Sequence, residues 1–177
     1  LVALPSYEYL DHLSRSPDKP ANFIAQSPAM DEDEQLALLK QFQQSPAAVL
    51  GIVMGGVFAE SVDLGTSAAA GVVVVSLGLP PTNLIRSLSV EYFNGAHGIG
   101  WGEQIAYLQP AMTRVVQAAG RLIRGPRDKG VICLVDPRFA DPAIAKFFPE
   151  HWQPEKMSAN RVESCLKAFW SNDLSQP

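Results

Sequence analysis

From Gly71 to Leu79 the chain reads Gly-Val-Val-Val-Val-Ser-Leu-Gly-Leu, with no charge and one serine. A strand with one wet face alternates apolar and polar residues. A run that is apolar almost throughout belongs to a strand covered on both sides, here Gly71–Leu77, which Pro80-Pro81 stops. Ala48–Met54 and Gly130–Val135 repeat the pattern, and Leu1–Leu4 and Asn22–Gln26 are shorter runs of the same kind. Amphipathic segments alternate with them. Tyr7–Ser14 reads as a helix capped by Ser6. Asp31–Gln43 reads as another, with Leu36, Leu39 and Phe42 on one face and an acidic start that suits the positive end of the helix dipole. Leu84–Phe93, Met112–Arg124, Ala143–Phe148 and Ser158–Trp170 complete the set. Asn94–Gly102, with four glycines, reads as a flexible loop. Trp101 would anchor that loop to the core or stack on a base, and Trp152 and Trp170 would pack the C-terminal segment. Buried strands alternating with helices predict an α/β fold, a parallel sheet with helices on both faces in a Rossmann-like three-layer arrangement. Residues 1–152 would form that domain and 153–177 a C-terminal helical extension of it.

Composition removes several classes. The chain has 177 residues, 47% hydrophobic and 18% charged, which is ample for a core and too apolar for a disordered chain. No apolar run approaches the roughly 20 residues that span a bilayer, and Leu1–Pro5 has no basic leader, so no membrane partner and a cytoplasmic location are expected. Cys133 and Cys165 lie far apart and read as buried or half-buried free thiols. His12, His97 and His151 have no metal spacing, so no metal site is expected. Neither Gly-x-x-x-x-Gly-Lys-Ser/Thr nor Gly-x-Gly-x-x-Gly nor Gly-x-Ser-x-Gly occurs. Alone, the chain has no visible means of holding a nucleoside triphosphate.

The net charge of −4 argues against a general nucleic-acid glue, yet the charge is uneven. Residues 109–130 carry Arg114, Arg121, Arg124, Arg127 and Lys129 against Asp128 alone, on an otherwise acidic chain. In the helix Met112–Arg124, Met112, Val115, Val116, Ala119, Leu122 and Ile123 fall on one face at about 100° per residue. Gln117, Gly120, Arg121 and Arg124 fall on the opposite face, at i, i+3, i+4 and i+7. A glutamine and two guanidiniums thus project together. Planar guanidiniums suit phosphate oxygens, and a pair of them could neutralise charge developing in phosphoryl transfer. By pattern alone a solvated polar face remains open.

These residues resemble a family. Gln117-Ala-Ala-Gly-Arg-Leu-Ile-Arg124 is similar to motif VI of superfamily 2 helicases of the XPD/DinG group, Gln-x-x-Gly-Arg-x-x-Arg. Gly56-Val-Phe-Ala-Glu60-Ser-Val-Asp63 resembles its motif V, Leu4-Pro-Ser-Tyr7 the end of its motif IV strand, Leu77-Gly-Leu-Pro-Pro81 its Leu-Pro-Phe-Pro segment, and Asp136-Pro-Arg138 its Asp-x-Arg. Order and spacing agree over roughly residues 1–150, and the bacterial DinG/YoaA-like branch is the nearest in pattern. The resemblance implies a second RecA-like motor domain. The first, with the Walker A loop and usually four iron–sulfur cysteines, would precede Leu1 in a parent chain and bind most of the ATP and Mg2+. An iron–sulfur cluster would belong to that parent, none to this chain. Arg121 and Arg124 would act as arginine fingers and Gln117 near the γ-phosphate, with Gly120 leaving room between them. Glu60 and Asp63 would couple nucleotide to the DNA path. Ser6 and Tyr7 would contact single-stranded DNA. The function implied is an ATP-dependent 5′–3′ DNA helicase, bacterial and nucleoid-associated, whose isolated second domain is inactive. Ser61 departs from the family's glycine. A motor-less adaptor that binds DNA or a repair protein, and a small Rossmann-like enzyme, remain as other readings.

Overall fold

The computed structural model describes residues 1–45, 47–60, 70–120 and 129–171, and of residues 59 and 60 the backbone only. Five strands form one wholly parallel sheet: β1 (Val2–Leu4), β2 (Phe23–Ala25), β3 (Val49–Val53), β4 (Gly71–Val75) and β5 (Val131–Val135), in the order β2-β3-β1-β4-β5. The helices between them are α1 (Tyr7–Arg15), α2 (Glu32–Gln44), α3 (Val57–Glu60) and α4 (Leu84–His97), then α5 (Trp101–Glu103), a π-helical stretch (Gln104–Leu108) and α6 (Gln109–Ala119). After β5 come a 3-10 turn (Pro137–Ala140), α7 (Pro142–Ala145) and α8 (Ala159–Ser171). The expected α/β fold with helices on both faces is the one observed.

Alternate residues of the strands feed two cores. Ala3, Leu50, Ile52, Val72 and Val74 face one side, where Leu38 and Leu39 of α2, Phe58 of α3, and Met112, Val115 and Ala118 of α6 cover them. Leu4 and Val53 face the other side, beneath Leu10 of α1. Burial on both faces is why these strands carry no polar alternation. Ser6 caps α1, its Oγ accepting the Tyr9 N–H at 3.4 Å. Asp31 caps α2 and pairs reciprocally with Glu34 in a capping box, so the acidic run is a helix start.

Four expectations change. Leu36 is 52% exposed, and Leu38 takes its place beside Leu39 in the core. The 94–102 segment is mostly helical. α4 continues to His97, and only Gly98–Gly100 separates it from α5, closed by Asn94 Oδ1 accepting the N–H groups of Gly100 and Gly102. Trp101 is therefore a half-exposed helix residue beside His97, with ring centroids 5.6 Å apart, and anchors nothing in the core. The arginine helix starts earlier than Met112, since α5, the π stretch and α6 run on without a break. At the junction the Gln109 N–H donates to the Gln104 carbonyl five residues back. The wider spacing falls just before Pro110, which has no N–H to give. Both cysteines are free and half-buried, and burial raises the Cys133 thiol above its usual range.

Candidate functional site

Ligands of open parallel sheets bind outside the carboxyl ends of the strands, where the connections diverge. Here the chain leaves β1 toward β2 on one side and leaves β4 toward β5 on the other, so the divergence lies between β1 and β4. The sequence-expected residues can be placed against that edge.

Ser6 and Tyr7 follow directly from β1. Ser6 is half-buried and committed to its cap. Tyr7 is 39% exposed, and its hydroxyl accepts a hydrogen bond from Gln26 Nε2 at 2.7 Å. β3 is the partner of β1, and Gly55-Gly56 turns out of it into α3. Gly55 has φ +76, a left-handed conformation that disfavours any side chain. A Cβ there would also stand 2.9 Å from Arg114 Nε, so the Arg114 guanidinium lies against the bare Gly55 backbone. Phe58, 1% exposed, pins α3 into the core, and α3 packs against α6. Glu60 ends α3. Its side chain, together with Ser61, Asp63, Arg121 and Arg124, and with Leu122 and Ile123 of the expected apolar face, lies outside the described residues.

On α6 the division into faces holds as far as it is described. Met112, Val115 and Ala119 are buried, Ala111 and Ala118 join them, Val116 is half-buried, and Gln117 and Gly120 are exposed. Gly120 closes the helix, its N–H donating to the Val116 carbonyl at 2.8 Å. Arg114 stands three residues before Gln117, on the same side of the helix. The structure thus brings together the segment after β3 and the helix bearing Gln117, through Arg114 on Gly55 and α3 on α6. It also places Ser6 and Tyr7 at the end of the strand next to β3.

Past β5, Asp136 and Arg138 close a bidentate pair at 2.9 and 2.7 Å, and Arg138 Nη2 donates to Ser76 Oγ at 3.1 Å across the β4–β5 ends. Ser76 has φ +67, held there where β4 gives way to the next loop. The Arg138 hydrogen bonds outweigh burial and hold the Asp136 carboxyl below its usual value, while the same pairing raises Arg138. The Asp136 side chain is 11% exposed and that of Arg138 47%, so a cation stands at the carboxyl edge on a half-buried acid. Farther along, Lys129, just before β5, donates to the Phe169 carbonyl and lies over the Phe169 ring at 4.6 Å, tying α8 to the chain that follows the arginine segment.

Two residues of this edge escaped the sequence reading. Arg114 was visible as a cation of the arginine helix, and its i, i+3 spacing to Gln117 was the available signal. Gln26 gave none, because its partners Tyr7 and Val53 lie 19 and 27 residues away.

The sequence model of the helicase C-terminal domain family matches residues 1–155. The chain belongs to that family. A protein named a probable ATP-dependent helicase, from Methanocaldococcus jannaschii, is 34% identical over 157 residues, which is 80% of this chain and 24% of that protein. A solved XPD helicase is 25% identical with a TM-score of 0.63, covering 83% of this chain and 26% of its own. A second XPD structure, without ligand, superposes with a TM-score of 0.65 at 23% identity over 82% of this chain and 30% of its own. This helicase C-terminal domain therefore has the RecA-like fold of the XPD/DinG group, and spans about a quarter of the curated relative's length. Among the described residues no helix is long and apolar enough to cross a membrane, and no cluster of three His, Cys, Asp or Glu could hold a metal ion.

Proposed function

We propose that this helicase C-terminal domain is the second motor domain of an ATP-dependent DNA helicase. Its partner is the first RecA-like domain of the same parent chain. The observation that carries the reading is the packing of α3 on α6 with Arg114 seated on Gly55. That contact sets α3 beside α6; in sequence Asp63 follows α3, and Arg121 and Arg124 follow α6. Such an edge can complete a nucleotide site without forming one. The chain lacks a phosphate-cradling loop and a described metal cluster, so ATP and Mg2+ would be held mainly by the first domain, as would any iron–sulfur cluster. Arg121 and Arg124 would enter that site as arginine fingers, stabilising charge on the transferring phosphoryl group. Gln117, exposed on α6, would orient the γ-phosphate or the attacking water, and Gly120 would leave room beside it. Glu60 and Asp63 would couple this site to DNA. Ser6 and Tyr7, at the adjacent strand end, would contact single-stranded DNA by backbone hydrogen bonding and stacking, with 5′–3′ translocation and cytoplasmic, nucleoid-associated work.

ATP hydrolysis by the full-length parent, with and without single-stranded DNA, tests the reading. Stimulation by DNA is expected. A parent that binds DNA but hydrolyses no ATP would instead be the motor-less adaptor.

A further inference from the structure

Gln26 follows β2 and is 5% exposed, the one buried polar side chain among the described residues. A buried amide is costly unless its ends are bonded. Both are. Oε1 accepts the Val53 backbone N–H at 3.1 Å, and Nε2 donates to the Tyr7 hydroxyl at 2.7 Å. The backbone N–H can only donate, which fixes the amide oxygen on Val53 and the nitrogen on Tyr7. The same nitrogen lies 3.2 Å from where a Cβ on Gly56 would stand, so the amide also rests against the turn into α3. One side chain therefore touches the first residue of α1, the last residue of β3 and the Gly55-Gly56 turn. Across that turn, Gly55 carries the Arg114 guanidinium, three residues before Gln117. A methionine or leucine would fill this volume but would leave the Val53 N–H without its acceptor. The amide adds a fixed distance between a surface phenol and a backbone turn.

We propose that Gln26 is a positioning residue. It holds the Tyr7 phenol and the Gly55-Gly56 turn in register, so that single-stranded DNA taken up at Tyr7 restrains the segment bearing Glu60 and, through Arg114, α6. The inference rests on the reading of the Ser6–Tyr7 edge as a DNA contact. Nucleic acid against Tyr7 immobilises the phenol, the phenol holds the amide, and the amide holds the Val53 N–H two residues before Gly55.

The test uses the full-length parent and a single-stranded oligonucleotide at saturation. Amide hydrogen exchange of the 50–58 segment and DNA-stimulated ATP hydrolysis are compared in wild type, Gln26→Met and Gln26→Glu. Methionine fills the site without a hydrogen bond. Glutamate keeps both contacts, because a phenol donates to a carboxylate oxygen as well as it accepts from an amide. In wild type the oligonucleotide slows exchange across 50–58. In Gln26→Met that response is lost and DNA stimulation falls several-fold, while DNA-free hydrolysis and the KM for ATP hold. Gln26→Glu restores both. A folded Gln26→Met that keeps the exchange response, or that loses DNA-free and stimulated hydrolysis in the same proportion, overturns the proposal. Should Gln26→Met not fold, Tyr7→Phe keeps the ring and the Gln26–Val53 bond and breaks only the link. Loss of the exchange response with oligonucleotide still bound upholds the proposal, and a retained response overturns it. A wild type that binds DNA and is stimulated, yet shows no response at 50–58, defeats this inference alone. A wild type that neither binds DNA nor is stimulated defeats the helicase reading, and this inference with it.

Discussion

Asp136 is a half-buried carboxylate whose two oxygens are both taken by Arg138. Its folded-state pKa lies below the ordinary 3.8. A depressed carboxylate contributes stability that is complete above the unfolded-state value and is lost as pH falls through the folded one. Wild type should therefore melt above Asp136→Asn at neutral pH, and the gap should close on titration below 3.8. A gap that persists unchanged at pH 2 would mean that the asparagine acts by something other than charge. Gly55 makes a second residue-scale case. An alanine at its φ of +76 costs about 1 kcal/mol in conformation, and its Cβ must also displace Arg114. Gly55→Ala should lower the unfolding free energy by about 1–2 kcal/mol, read by urea melts. Neither contact could be seen in the sequence. Asp136-Pro-Arg138 was legible as a motif, but its reach to Ser76 spans 62 residues, and a spacing pattern carries no distance across a fold.

Elements were more legible than contacts, for a physical reason. β3, β4 and β5 are read to within two residues because burial on both faces forces uninterrupted apolar runs. α1 is read from its cap, Ser6, because an exposed helix start must find acceptors for its free N–H groups, and α2 from its apolar spacing and acidic start. α4 was harder. It buries none of its residues, and Leu84 and Ile85 are 74% and 76% exposed, so its apolar positions report no core-facing stripe. The glycines after it suggested a loop, yet Gly102 serves packing. A Cβ on it would run into the Val90 backbone of α4, so glycine lets α5 lie close against that helix. Gly102→Ala should cost about 1–3 kcal/mol of stability through overpacking, measured by denaturant melts. A neutral result would show that α4 and α5 can part freely. The π stretch was illegible, since it answers to Pro110 and to continuity with α6 together, and no periodicity encodes that pair of demands.

At the scale of the whole molecule, the fold and the family follow from ordered motifs lying at strand ends. Of the motifs expected in sequence, Ser6-Tyr7, the described Gly56–Glu60 part of the Gly56–Asp63 segment, and Gln117 lie on adjacent, packed elements. What sequence could not supply is the set of joints among them, Gln26 between the first two and Arg114 between the last two. On the proposed reading, this domain would complete a nucleotide site from outside through Arg121 and Arg124, acting on the transition state more than on DNA affinity. The most direct test is DNA-stimulated ATP hydrolysis by the full-length parent, wild type against Arg121→Ala, with DNA binding measured alongside. An arginine finger is worth about 10³–10⁵ in rate, so stimulated hydrolysis should collapse by about that factor while DNA binding is largely spared. Undiminished stimulation in Arg121→Ala would contradict the finger, and with it the claim that this domain works by completing another domain's ATP site.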